Sequence, residues 1–410
     1  MSFTDLIKKD KAYLAQGLGL FVFAATLPFS VTFIQIGILL FIAASLWRRY
    51  SAGTIAAVPA EMKAIPLFIP WLIYLAAGAL ASAFGISPLH SFAALNSDLL
   101  TATAFLGLCL FLEPEQREPA LKIYLLAVTV AAIYGLAQAL GGLAHGQDVR
   151  AHAVTHPVRF GEILVIGLAL AVSLVSSPEG LSPRLKKAAY ASVLLIIAAI
   201  VLSQTRGAYI GMALVLASML AIKRPTKRIL LPIIAAAAAL ILFLSMLSPV
   251  VRYKIGYLFR GATSTGSFAI DAANQSINTR MVLWKTGLKM IKDRPVFGSG
   301  PANTKELFPL YCPKPYPENT VWGSLHNLYI HQAAERGLVG LSALLLLFAS
   351  MFMAALRALR AAPSALTIWP MALIFSWFLM NVTEISFQHV HTSYAVLLAL
   401  AAAITSAKAK

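Results

Sequence analysis

The sequence predicts an all-α integral membrane protein, with about twelve transmembrane helices and one long outer loop that contains helices of its own. Three observations predict it. The first is composition: of 410 residues, 59% are hydrophobic and only 12% charged, about half the charged share of an ordinary soluble domain. The second is that apolar runs of spanning length follow one another along most of the chain. The third is where Lys and Arg fall. The net charge of +17 sits in short clusters between the runs, which is the pattern of membrane orientation and argues against a nucleic-acid partner.

The runs lie near 13–28, 31–47, 66–84, 98–112, 121–141, 160–176, 188–204, 207–222, 229–247, 337–356, 366–382 and 390–407. The charged start lacks a small-residue cleavage site before Pro28, so the first run reads as a retained span. With the N-terminus inside, 19 of the 33 Lys and Arg fall on inner segments, among them Arg48, Arg49, Arg184, Lys186, Lys187, Arg357 and Arg360. The short outer loops then hold only Arg150, Arg159 and Arg206. That asymmetry predicts both termini inside. Cys109 sits in an apolar run and Cys312 in a polar stretch, so no disulfide framework is expected. The chain divides accordingly into residues 1–247, an outer loop 248–336 and residues 337–410.

The loop carries the remaining 11 Lys and Arg, which suit an anionic lipid head group at the outer surface. Asn278 or Thr279 is expected to cap a helix running to about Asp293, with Arg280 at its head. Met281, Trp284, Leu288 and Ile291 recur at helical spacing as an apolar stripe flanked by Lys285, Lys289 and Lys292, the pattern of a helix lying on the outer leaflet. Pro295 to Pro301 breaks regular structure, and residues 311–317 form a stiff proline-rich connection. A second helix is expected from about Ser324, continuing into the span that starts at Gly337.

Few residues stand out for chemistry. Arg206 sits in the tight outer turn Ser203-Gln204-Thr205-Arg206, where an arginine goes against the orientation bias. The plain alternative is snorkelling to phospholipid head groups; the sharper reading is a guanidinium that grips a diphosphate bidentately. Arg280 reads either as an interfacial anchor or as a second such group. His326 reads either as an interfacial histidine or as a base. His326 and His331 are five positions apart and would face different sides of one helix, so they form no metal pair. No outer Asp-x-Asp pair could hold a divalent ion on a diphosphate. No hydrolase elbow or phosphate-binding glycine loop occurs. The carboxylates nearest to mid-span, Glu162 and Glu384, both lie near outer ends.

His326-Asn327, nine residues, Gly337, two residues and Gly340 resemble the His-[Asn/Ser/Gln]-x9-Gly-x2-[Gly/Thr/Tyr] pattern of the O-antigen ligase and polymerase superfamily. Arg206 in Ser-Gln-Thr-Arg-Gly-Ala-Tyr is similar to that family's arginine at a short outer turn. Arg280 with the Pro295–Pro301 segment is similar to its arginine-plus-Pro-x-x-Gly-x-Gly element. The resemblance implies an O-antigen ligase of lipopolysaccharide biosynthesis: a glycosyltransferase in the bacterial inner membrane with a periplasmic active site. It would take glycan from an undecaprenyl-diphosphate donor to the lipid A core among membrane lipids. It would act by inversion, without metal or other cofactor. It further implies His326 as general base, with Arg206 and Arg280 on the leaving diphosphate and Asn327 at the substrate. Arg159, two residues after Pro157, is a reserve phosphate contact. An O-antigen polymerase and a protein O-oligosaccharyltransferase of the same superfamily remain alternatives, as does a transporter of lipid-linked sugars, for which the same cations would only bind.

Overall fold

The computed structural model describes residues 11–147, 149–177, 183–223, 272–313 and 321–408. Among them every regular element is helical: α1 Lys11–Thr26, α2 Val31–Ser51, α3 Val58–Lys63, α4 Phe68–Ala83, α5 Pro88–Ala94, α6 Asn96–Phe111, α7 Pro114–Ala144, α8 Pro157–Ser176, α9 Pro183–Leu202, α10 Arg206–Lys223, α11 Ala272–Asp293, α12 Thr304–Tyr311, α13 Leu328–Ala361, α14 Ala365–Thr383 and α15 Val390–Lys408. Helices occupy eleven of the twelve expected intervals; the twelfth, 229–247, lies outside the described residues, as do 248–271 and most of the proline-rich connection.

Seven described helical segments are long and apolar enough to cross a membrane, or eight if the pair 55–63 and 68–83, bent by 83°, counts as one span. Among the described residues, length and composition thus support seven or eight of the expected spans. α4 has 16 residues, about 24 Å at 1.5 Å per residue, short of a typical hydrocarbon core. Even so, this is a multi-pass membrane protein. Large apolar side chains such as Phe33, Trp47, Leu126, Ile133 and Leu345 stay exposed along the outward faces of the bundle, where lipid and not water is their natural partner.

α8 and α15 are the central helices. Nearly every α8 side chain from Phe160 to Leu174 is buried, against α7, α9, α10, α14 and α15. α1 and α2 pair more tightly than Leu-sized residues would allow. A Cβ on Gly19 would lie 2.4 Å from Phe41 N, and one on Gly37 2.5 Å from Phe23 N. Small residues that let two backbones touch supply the dispersion contact that drives helix pairing in lipid.

The bundle has two polar ends. At one, Arg48 donates to Gln16 Oε1 (2.6 Å) and to Glu113, tying the start of α1 to the end of α2 and the start of α7. The other end gathers the close of α1, α4 and α14, the 203–205 turn and the head of α8, and there the candidate residues meet.

Beside that second end sits a small separate core of Leu283, Met290, Phe308, Leu325 and Ala334, built by α11, α12 and the first turns of α13. α11 starts at or before Ala272, so Arg280 lies in its third turn and not at its head. Of the expected stripe, Trp284 and Ile291 pack against this core. Met281 and Leu288 are exposed, while Leu283, Thr286, Gly287 and Met290 are buried. Small Gly287 is what lets Leu325 and Ile330 come close.

α13 begins at Leu328 and breaks at Gly337 (φ 66°). The Pro295–Pro301 segment fills the break: Leu338 and Val339 donate to the carbonyls of Pro295 and Val296, while Ser299 and Gly300 donate to those of Ala334 and Glu335. A Cβ at Gly337 would lie 2.0 Å from Val296 O. The glycine of the sequence pattern therefore has a backbone reason.

Candidate functional site

His326 does not ride on a helix. It precedes the N-cap of α13 with φ 44°, and its backbone N–H donates to Ser324 Oγ at 3.2 Å. That left-handed conformation, uncommon outside glycine, and an edge-on contact with Trp322 at 5.4 Å between ring centres fix where the imidazole goes. Asn327 is the N-cap itself: its Oδ1 accepts from Ile330 N at 3.0 Å, the usual work of such a residue.

The imidazole Nδ1 lies 2.9 Å from Glu384 Oε2, and Arg280 donates to the other oxygen of that carboxylate at 3.1 Å. Arg280 Nε also donates to Thr383 O at 3.2 Å. Glu384 thus bridges the two residues, and it follows directly on α14. Burial alone would raise its pKa; the hydrogen bond and charge of His326, with Arg280 and His389, hold it below the ordinary carboxylate value. The main chain ties the same pieces together, since Leu328 N donates to Glu384 O at 3.1 Å.

Arg206 is the first residue of α10, half-buried, just after Gln204 with φ 53°. A Cβ on neighbouring Gly207 would lie 3.3 Å from Thr383 Oγ1, so this turn abuts the residue that Arg280 holds. Arg150 braces the turn, with Nε on Ser203 O (2.9 Å) and a second donor on Thr205 Oγ1 (3.1 Å). Arg159 stands exposed in the first turn of α8. His156, the N-cap there, has its pKa lowered by burial first and then by Arg150, Arg159 and His326, against Glu384; Arg159 thus belongs to the same electrostatic neighbourhood.

Arg206, Arg280, His326 and Arg159 therefore converge on one end of the bundle. Sequence reasoning missed Glu384 as their centre, although it had placed that carboxylate at an outer helix end. His331 is instead buried within α13 beside Glu335, 3.6 Å away.

The arrangement has a definite chemistry. A proton held on Nδ1 toward Glu384 leaves Nε2 to accept one from a substrate hydroxyl. Arginines beside it suit an anionic group. A helical membrane protein with a histidine–carboxylate–arginine site at one end of its bundle is the class that fold and site define. Residues 191–345 match the family model described as O-Antigen ligase, which supports a place in the O-antigen ligase superfamily. A protein of Haemophilus influenzae, described as uncharacterized, is 27% identical over 164 residues, 38% of this chain. The chain spans about 40% of the length of that relative.

Proposed function

We propose that this protein is an O-antigen ligase: an inverting, metal-independent glycosyltransferase that moves O-antigen glycan from undecaprenyl diphosphate to the lipid A core at the periplasmic face of the inner membrane. The observation that carries the reading is the His326–Glu384–Arg280 bridge, whose first and last members lie in the stretch that matches the family.

In this mechanism the acceptor hydroxyl gives its proton to His326 Nε2 while its oxygen bonds to the anomeric carbon. The bond from that carbon to the diphosphate oxygen breaks, and its electron pair leaves with undecaprenyl diphosphate. Arg206 and Arg280 meet the charge that grows there, the kind of electrostatic stabilisation that carries much of catalysis. Glu384 keeps the imidazole in the useful tautomer and steadies it once protonated, as a buried carboxylate does for a catalytic histidine elsewhere. One displacement inverts the anomeric centre.

The test is a reconstitution of purified protein with undecaprenyl-diphosphate glycan and lipid A core, without an energy source. Glycan joined to the core supports the reading. Glycan lengthened on the donor alone would make the protein a polymerase, and donor moved across the bilayer without transfer would make it a transporter.

A further inference from the structure

Glu162 is a carboxylate that the mechanism above does not use. It lies in the second turn of α8, inside a membrane-spanning helix, and is 2% exposed. An ionisable side chain in such a place is costly and asks for a partner. Its Oε1 has one, accepting from Ser386 Oγ at 2.6 Å. Its Oε2 faces His389 Nδ1 at 4.0 Å, too long for a hydrogen bond. Among the described residues, neither of these two buried atoms has a hydrogen-bond partner.

Both groups that Glu162 addresses belong to one short turn, 384–389, and Glu384 opens that turn. The turn is pinned again on its far side. Phe387 N donates to Asn381 Oδ1 at 2.9 Å, and the Phe387 ring packs on Trp71, Tyr74, Phe348 and Trp377. Glu162 supplies the polar anchor from α8, the helix whose first turn also carries Arg159.

We infer that Glu162 is a positioning residue for the reaction proposed above: by holding the 384–389 turn through Ser386, it keeps Glu384 against His326 and Arg280. This rests on the ligase reading for its kinetic consequences but not for its geometry. A catalytic group displaced by about 1 Å can lose about 10²-fold in rate. Glu162→Ala is therefore expected to lower kcat about 10²-fold, with the donor KM unchanged. Glu162→Gln keeps an oxygen that can accept from Ser386 and restores most of the rate. A residue that only stabilised the fold would lower the melting temperature and the yield but leave kcat per folded molecule alone.

A second readout needs no turnover. Diethyl pyrocarbonate modification of His326, followed by peptide mass spectrometry on the full chain in detergent at pH 7, should be faster in Glu162→Ala than in wild type. If Glu162→Ala does not fold, Ser386→Ala carries the test, because it removes only the hydroxyl that Oε1 accepts; kcat should fall up to about tenfold. Wild-type kcat in the folded variants, or unchanged His326 labelling, would overturn the inference. A wild-type protein that transfers no glycan would overturn the ligase reading instead, and the labelling alone would then decide the positioning role.

Discussion

α13 carries two polar networks of similar residue types that serve opposite ends. Just before its first turn, His326 and Arg280 share Glu384, and the side chains of both are 27% exposed. Two turns on, Arg336 pairs with Asp98 and lies over the Tyr74 ring, with Glu335 beside His331 and held by Thr304 Oγ1 at 2.7 Å; all four side chains of these two pairs are 8% exposed or less. The first network is open to a substrate. The second is sealed beside the Gly337 break, where it ties α13 to α6. Access, and not the identity of the charges, separates a site from a strut.

The two should therefore break differently. On the proposed mechanism, His326→Ala removes the base without touching a diphosphate contact. Transfer should fall by about 10²- to 10⁴-fold, while donor binding, measured with labelled undecaprenyl-diphosphate glycan, stays close to wild type. Arg336→Ala should do the reverse. It strands Asp98 without a partner, and breaking such a buried pair costs about 3–5 kcal/mol, visible as a lower melting temperature and yield. If His326→Ala turns over normally while Arg336→Ala folds normally but is dead, site and strut have been assigned the wrong way round.

Within the open network, the arginines should separate from the histidine. Arg206→Ala and Arg280→Ala are expected to lose donor affinity and rate together, because in the proposed mechanism each meets the diphosphate before and during bond breaking. Lys at either position keeps a charge but not a planar fork, so it should restore activity only in part. Full restoration by Lys at position 280 would mean that the carboxylate bridge needs only a cation. A smaller effect is expected at the break itself. Gly337→Ala puts an L-residue at φ 66°, ψ −172°, a region kept almost wholly to glycine and worth about 1–3 kcal/mol, and adds the clash with Val296 O. Thermal unfolding should show at least that loss; none would mean that the Pro295–Pro301 clamp yields freely.

How much of this was legible follows from where the residues lie. Arg206, Arg280 and His326 could be read because local order marks them: a turn, a helix and a His-Asn with glycines at fixed spacing. Glu384 could not, since it stands 58 residues from His326 at the end of an apolar run, and nothing local says what it faces. The α11 stripe was read with the right period, and its members divide: Trp284 and Ile291 pack on the small core, while Met281 and Leu288 stay exposed. Apolar weighting favours Met281 and Leu288, whereas close packing selects Thr286 and Gly287, which a hydrophobicity pattern does not see. The span count rests on apolar length, which measures what could cross a bilayer; the described helices meet that test seven or eight times, and the run 229–247 lies outside the described residues.

The smallest effect belongs to the shared carboxylate, and its pH dependence has a definite sign. The pKa of Glu384 is held below the ordinary value because the His326 contact, Arg280 and His389 together outweigh burial. The folded protein thus binds that proton less readily than the unfolded chain does, and stability from the bridge is complete above the unfolded carboxylate value, about 4.3. It is lost only as pH falls through the lower folded value. The melting-temperature difference between wild type and Glu384→Gln should therefore persist unchanged as pH falls from 7 toward that range, and shrink only below it. Asp98→Asn is the companion measurement: its difference reports the sealed pair and should leave the pH course at Glu384 intact. A Glu384→Gln difference that closed well above the carboxylate range would mean that burial dominates at Glu384. His326 would then lack an ionised partner, and its role as a base would need another source of support.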